Sequence, residues 1–359
     1  MLSDKSQWYN NASFILIKTI MSEPFKHYIN LIGKGQRAGQ TLTQAQAYDA
    51  MQQILQDKVT PEQLGAFLML LRVREETAEE LAGFTQACRE YVNPEFAGLT
   101  VDLDMGCYAG KRRHLPWFLL AVMAMAQQGL NIAIHGTAEP DSQRLYLKTC
   151  LAEFGVMPAE NKQEAEQQLD KLGFCYQELA SVHPKLDQLI QLRALFGLRS
   201  PANTLARMLN PFNAEFSLHG VHHRNFDIRH IDAAQILQDK NVLCFRGEGG
   251  EIEFNPEREV TLHCARQGQT SQFILPAGLD SWQVKPRELD INSLKNVWLG
   301  AEQNDYATQA IIGTINIMLL LTQSQLTDDL SDSAEAIKQT RFKAEQIWQQ
   351  RQSANWPLN

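Results

Sequence analysis

The sequence predicts an α/β protein in two parts: a small all-helical domain, then a large α/β domain built on a mostly parallel central sheet. Three observations carry that expectation. Four short amphipathic helices precede any strand. From residue 99 onward, apolar runs of strand length alternate with helical periods, the pattern of a parallel sheet covered on both faces. At 359 residues the chain also exceeds the roughly 250–300 at which one core stops growing.

In the N-terminal part, Phe25, Tyr28, Ile29 and Ile32 form an apolar stripe that ends at Gly33-Lys-Gly35. Thr43 opens a second helix through Ala47, Met51, Ile54 and Leu55. Thr60-Pro61-Glu62-Gln63 combines an N-cap, a proline at the first helical position and a capping-box glutamine, followed by the core face Leu64, Phe67, Leu68 and Leu71. Thr77 to Glu80 repeats the box and leads through Leu81, Phe84, Ala87, Cys88 and Tyr91. These helices define a domain over 21–95, expected to be joined by part of 180–210 and to serve packing or dimerisation. Residues 1–20 read as an extension, with Met21 a candidate start.

The large domain is expected over 96–359. Leu99, Val101, Leu103 and Met105 alternate with polar residues as a strand, which Gly106 to Gly110 breaks into a loop. A helix follows through Leu115, Phe118, Leu119, Val122 and Met123 to Gly129, then a second strand over Leu130 to Ile134. Helices are expected over 143–154, 161–172, 184–196 and 228–238, and strands over 174–176, 216–221, 241–246 and 251–254. Val260 to Cys264 is a further candidate strand in a stretch that otherwise resists assignment to Ala277. The C-terminal region reads as an apolar helix over 304–321 interrupted only by Gly313, an acidic turn at Asp328, Asp329 and Asp332, and an amphipathic helix over 333–351.

Four cationic or potentially cationic residues, Lys111, Arg112, Arg113 and His114, are expected where the loop enters the helix, beside its exposed N–H groups. An anion site and a solvated basic turn are the two readings of this run. Backbone wrapping of a diphosphate needs several glycines. Here only Gly106 and Gly110 are present, and Tyr108 between them takes space a diphosphate would need. A net charge of −8 argues against a surface that coats nucleic acid everywhere, so a polyanion partner would need a local basic groove. The six cysteines include no C-x-x-C pair, which points to neither a zinc site nor a disulfide framework and suggests thiols of a cytoplasmic protein. No apolar run approaches the roughly 20 residues that span a bilayer, so no membrane partner is expected.

Leu64-Gly-Ala-Phe-Leu-Met-Leu-Leu-Arg72, the loop after the first strand, His135-Gly136, His183-Pro184, Arg193 through Leu198-Arg199, Asn203 and Asn210-Pro211 together resemble anthranilate phosphoribosyltransferase and its nucleoside-phosphorylase relatives. The resemblance covers nearly the whole chain from Met21. It implies a helical domain hinged to an α/β domain, a homodimer through the helical domain, and transfer of a phosphoribosyl group from phosphoribosyl pyrophosphate to anthranilate with Mg2+. It maps a vestigial donor and acceptor site onto Gly106, Tyr108, Gly110, His135, Gly136, His183 and Arg193, the last matching the arginine that holds the anthranilate carboxylate. The family's Gly-Thr-Gly-Gly-Asp loop is replaced by Gly106-Cys-Tyr-Ala-Gly110. Glu139 puts a carboxylate where the family holds phosphate. The Asp-Glu pair for magnesium falls on Gly250-Glu251, leaving Glu251 as the metal ligand, with Glu248 and Glu253 as candidates to compensate.

The departures have their own pattern. Tyr108-Ala-Gly-Lys-Arg112, His135-Gly-Thr-Ala-Glu139, Gly197 to Arg207 and Gly247 to Arg258 resemble the YbiB-like branch of the family, which the resemblance associates with the transferase fold, a dimer and nucleic-acid binding. Three functions follow as expectations. One is a dimer that binds nucleic acid, single-stranded in the first instance, with little sequence preference, through Lys111, Arg112, Arg113, His114, Arg193, Arg199 and Arg207; Tyr108 either stacks a base or is buried. His219, His222 and His223 with Arg224 either extend that patch or line a turn. The second is a phosphoribosyltransferase using phosphoribosyl pyrophosphate, magnesium and an aromatic acceptor, and the third a scaffold whose cleft binds neither. No residue is assigned a catalytic role.

Overall fold

A computed structural model describes residues 24–35, 39–140, 142–322, 330–354 and 356–358. The N-terminal extension, Met21, Asp328 and Asp329 lie outside the described residues. Helices α1 (Phe25–Gly33), α2 (Gln44–Leu55), α3 (Pro61–Arg74) and α4 (Ala78–Arg89) come first. Reciprocal capping boxes close the starts of α2, α3 and α4, with Thr43, Thr60 and Thr77 each accepting from the backbone three residues on. Their apolar faces form one core with residues from 179–209, including Leu179, Val182, Leu186 and Leu205.

The sheet has seven strands in the order β3-β2-β1-β4-β5-β6-β7: β1 Leu103–Cys107, β2 Ile132–Gly136, β3 Phe174–Glu178, β4 Phe216–Val221, β5 Asn241–Arg246, β6 Val260–Arg266 and β7 Gln269–Leu275. The first five are parallel, while β6 and β7 are antiparallel additions at one edge. Crossovers run through α5 (Phe118–Ala126), α6 (Leu147–Glu153) and α7 (Lys162–Leu172). After β3 come α8 (Leu179–Val182), α9 (Pro184–Gln191), α10 (Arg193–Phe196) and α11 (Ala202–Arg207), then α12 (Phe226–Leu237) between β4 and β5. Helices α13 (Asn292–Leu299), α14 (Asp305–Thr322) and α15 (Leu330–Gln350) complete the chain. Among the described residues no helix is long and apolar enough to cross a membrane.

Three local expectations are corrected. The first strand begins at Leu103, so Gly106 lies inside it and the loop starts after Cys107. Glu251–Phe254 is buried coil, not a strand, because both its glutamates turn inward to polar partners. The helix expected over 184–196 breaks at Leu192 into α9 and α10. Strand order switches sides between the parallel neighbours β1 and β4, and in open parallel sheets ligands bind beyond the carboxyl ends of strands at such a switch point.

Candidate anion-binding cleft

Beyond the carboxyl end of β1 the chain runs through Tyr108 and Ala109 to Gly110, whose φ of +67° suits glycine. Lys111 then pairs with Leu145 through two backbone hydrogen bonds of 2.8 Å. The following helix starts only at Phe118, so the basic run lies in a closed loop and not at the helix entrance. That entrance is already satisfied, because the amide of Phe118 donates to Glu253 Oε2 at 2.9 Å.

The same pattern repeats through the cleft, where groups suited to an external anion hold the protein's own carboxylates. Gly110 N–H donates to Glu251 Oε1. Lys111 Nζ donates to Glu253 at 2.7 Å and to Glu248, with only 1% of the side chain exposed. Arg199 grips Glu139 through Nε (2.8 Å) and Nη2 (2.6 Å), Asn203 Nδ2 adds a bond of 2.8 Å, and Arg193 makes a second ion pair to the same carboxylate. Burial pushes the Glu139 carboxyl up, but Arg199 and Arg193 outweigh it and hold it below the usual carboxylate range. Burial raises Glu251, while Lys111 holds Glu248 down.

Several residues expected to meet a ligand are structural. Tyr108 is fully buried, joins the helical-domain core and bonds His135 Nδ1, so it presents no face to a base. The other ring nitrogen of His135 lies 3.2 Å from buried Asp104. Gly136 ends β2, where a Cβ would approach Cys107 O to 2.6 Å. Likewise, a Cβ on Gly106 would lie 3.1 Å from the Cα of Arg207. His183 caps α9 by accepting from Leu186 N (3.1 Å), and its Nε2 meets Cys88 O at 3.0 Å.

Within the basic set, Lys111 is buried between carboxylates, and Arg207 lines the cleft with only 7% of its surface exposed. Arg207 donates to Asn203 O and lies over the Tyr108 ring, 5.8 Å from its centroid. His114 is buried and stacked on Tyr306 with ring centroids 3.8 Å apart, and burial takes its pKa down to about 4, leaving it neutral near pH 7. Arg199 lines the cleft and Arg193 is about a quarter exposed, but both are committed to Glu139. Arg112 and Arg113 are exposed.

Sequence reasoning left out Arg72, Arg144, Arg246 and Arg258, of which Arg144 lies near Arg112. Arg72, Arg144, Arg199, His222 and His223 line one cleft, and Arg224, Arg246 and Arg258 line the hollow beside it. Their mutual repulsion marks their proximity: besides the cost of burial, Arg112 and Arg199 press Arg144 down, and Arg246 presses Arg258 down. Among the described residues Arg72, Arg112, Arg113, Arg144, Arg224, Arg246 and Arg258 make no ion pair. They come from six separate places in the chain, so no motif could have grouped them.

Magnesium prefers near-octahedral ligation by several oxygens. Glu251 offers one oxygen, Oε2, without a hydrogen-bond partner, and Glu248 and Glu253 are turned to the Lys111 ammonium. The residues present do not fit that ion.

Residues 26–92 match the glycosyl transferase family, helical bundle domain. An anthranilate phosphoribosyltransferase of Desulfitobacterium hafniense is 27% identical over 260 residues, covering 70% of this chain and 72% of the relative. The uncharacterized protein YbiB of Escherichia coli is 25% identical over 241 residues, covering 65% and 74%. The crystal structure of anthranilate phosphoribosyltransferase from Thermus thermophilus superposes with a TM-score of 0.66 at 19% identity, covering 90% of this chain and 97% of that one. The relatives bear out the family resemblance read in the sequence, and the superposition shows the fold.

Proposed function

We propose that this chain, a relative of the anthranilate phosphoribosyltransferases and of YbiB that carries their fold and their helical bundle domain, is a dimeric, largely sequence-nonspecific nucleic-acid-binding protein. The observation that supports the reading is the division of charge across the cleft. Inside, cations and amides that could hold a small phosphate are neutralised by Glu139, Glu248, Glu251 and Glu253. Outside, among the described residues, seven arginines make no ion pair, five of them lining the two adjoining hollows and Arg112 and Arg113 exposed. Spread over adjoining hollows, unpaired cations suit an extended polyanion better than one diphosphate, and neutralising backbone phosphates gives affinity without reading sequence.

A dimer through the helical domain adds a second copy of this surface and raises effective concentration. Val73, Leu195 and Leu198 are 84%, 81% and 53% exposed, an apolar set that a second copy would cover. Light scattering checks this part, with twice the chain mass expected.

The second reading, a phosphoribosyltransferase, draws on the relatives' names and on Arg193, which the resemblance matches to the arginine that holds the acceptor carboxylate. Calorimetric titration separates the two. A single-stranded oligonucleotide is expected to bind, and phosphoribosyl pyrophosphate with magnesium to give no saturable heat. The reverse pattern would replace the first reading with the second, and binding of neither would leave a scaffold.

A further inference from the structure

We infer that His219, His230 and Cys244 form a binding site for a thiophilic transition metal, for which Zn2+ is the fitting ion, in the floor beneath the cleft. Adjacent parallel strands and the helix packed on them bring the three together. His219 on β4 and Cys244 on β5 are direct register partners, and His230 comes from α12, which covers both strands. All three are at most 1% exposed, and their ligand atoms lie within 4.8 Å of one another.

The geometry is close to what a metal needs. The two Nδ1 atoms face each other at 3.2 Å. Zinc–nitrogen bonds of about 2.0–2.1 Å in a tetrahedral site put two nitrogens roughly 3.3 Å apart. Small side-chain rotations bring the thiol to its bond length of about 2.3 Å. Without a metal, the two rings share a single hydrogen bond, and Nε2 of both histidines is buried without a partner. An ion between the rings uses both Nδ1 lone pairs at once. The donor set excludes magnesium and calcium, which take oxygen ligands, and suits zinc-class ions. His230 also lines the cleft, the side from which a metal and a fourth ligand such as water would reach the three donors. On binding, the Cys244 thiol proton passes to solvent as the metal–sulfur bond forms, with no change of oxidation state.

The untagged full chain, stripped with chelator, is titrated with Zn2+ and separately with Co2+. One Zn2+ per chain by native mass spectrometry and a Co2+ spectrum of tetrahedral type with a thiolate charge-transfer band are expected. Cys244→Ser removes that band and weakens Zn2+ binding by about tenfold or more. The metal-free variant's circular dichroism, compared with that of the metal-free wild type, reports folding independently. Should the variant misfold, the wild-type Co2+ spectrum still decides. An octahedral spectrum without charge transfer, no uptake of Zn2+, or a charge-transfer band that survives Cys244→Ser overturns the assignment.

Discussion

The carboxylate of Glu251 accepts a hydrogen bond from the backbone amide of Gly110, 141 residues earlier in the chain. That contact places an internal anion on the loop which the family resemblance assigns to donor phosphates, and it sets the theme of the cleft. Glu253 does the same at the start of α5, and Glu139 at the Arg193–Arg199 pair. Each is a carboxylate supplied by the fold to a position suited to an external anion.

Removing the charge at Glu139 should reopen one of these positions. Glu139→Gln leaves Arg193 and Arg199 without their carboxylate, and since both remain about a quarter exposed, water can rehydrate them. A loss of about 1–3 kcal/mol in urea unfolding is expected. Anthranilate or benzoate should then raise the melting temperature of the variant and leave that of the wild type unchanged.

Lys111 shows the opposite balance. It is buried between Glu248 and Glu253, so Lys111→Met strands two carboxylates and is expected to cost about 3–5 kcal/mol. Adding Glu253→Gln should recover part of that loss in the same denaturation measurement. An unchanged midpoint in Lys111→Met would contradict the buried ion cluster.

Glu76 introduces a pH dependence. Burial raises its carboxyl from 4.5 to about 7, so the folded state holds a proton that the unfolded chain releases at lower pH. Its contribution is complete below about pH 4.5 and is lost as pH rises through 7. Relative to Glu76→Gln, the wild type is expected to lose up to ~3 kcal/mol across that window. Unfolding curves for the two proteins from pH 4.5 to 8 test this, and parallel pH profiles would exclude it.

Gly313 sits within α14 beneath the ring of Phe254, and an added Cβ would come within 2.1 Å of Phe254 Cδ1. Helix propensity alone would favour Gly313→Ala by about 1 kcal/mol. Overpacking of about 1–3 kcal/mol or more opposes it and should win, so the variant is expected to melt lower.

Periodic features were legible in the sequence because their cause is local. The capping boxes at Thr60 and Thr77, the apolar helix over 304–321 and the alternation of strand and helix all appear where hydrophobic spacing put them. The buried glutamates were not. Alternation at Glu251 to Phe254 reads as a strand with charged residues facing water, yet Glu251 and Glu253 find partners 141 and 142 residues away. The basic run was visible as a run, but its sorting into buried Lys111, stacked His114 and exposed Arg112 and Arg113 depends on those same distant residues. Arg72, Arg144 and Arg258 are far apart in sequence and reach the two adjoining hollows only through the fold.

The most direct measurement is fluorescence anisotropy of a labelled single-stranded oligonucleotide over a series of salt concentrations, for the wild type and for Arg112→Glu, Arg113→Glu, Arg224→Glu combined. All three arginines are exposed, so the variant is expected to fold as the wild type does. Each phosphate contact contributes about −0.7 to the slope of log K against log salt for a single strand, so losing three should flatten the slope by roughly 2 and weaken binding at every salt. No binding by the wild type, or an unchanged slope in the variant, would contradict the outer arginines as the nucleic-acid surface.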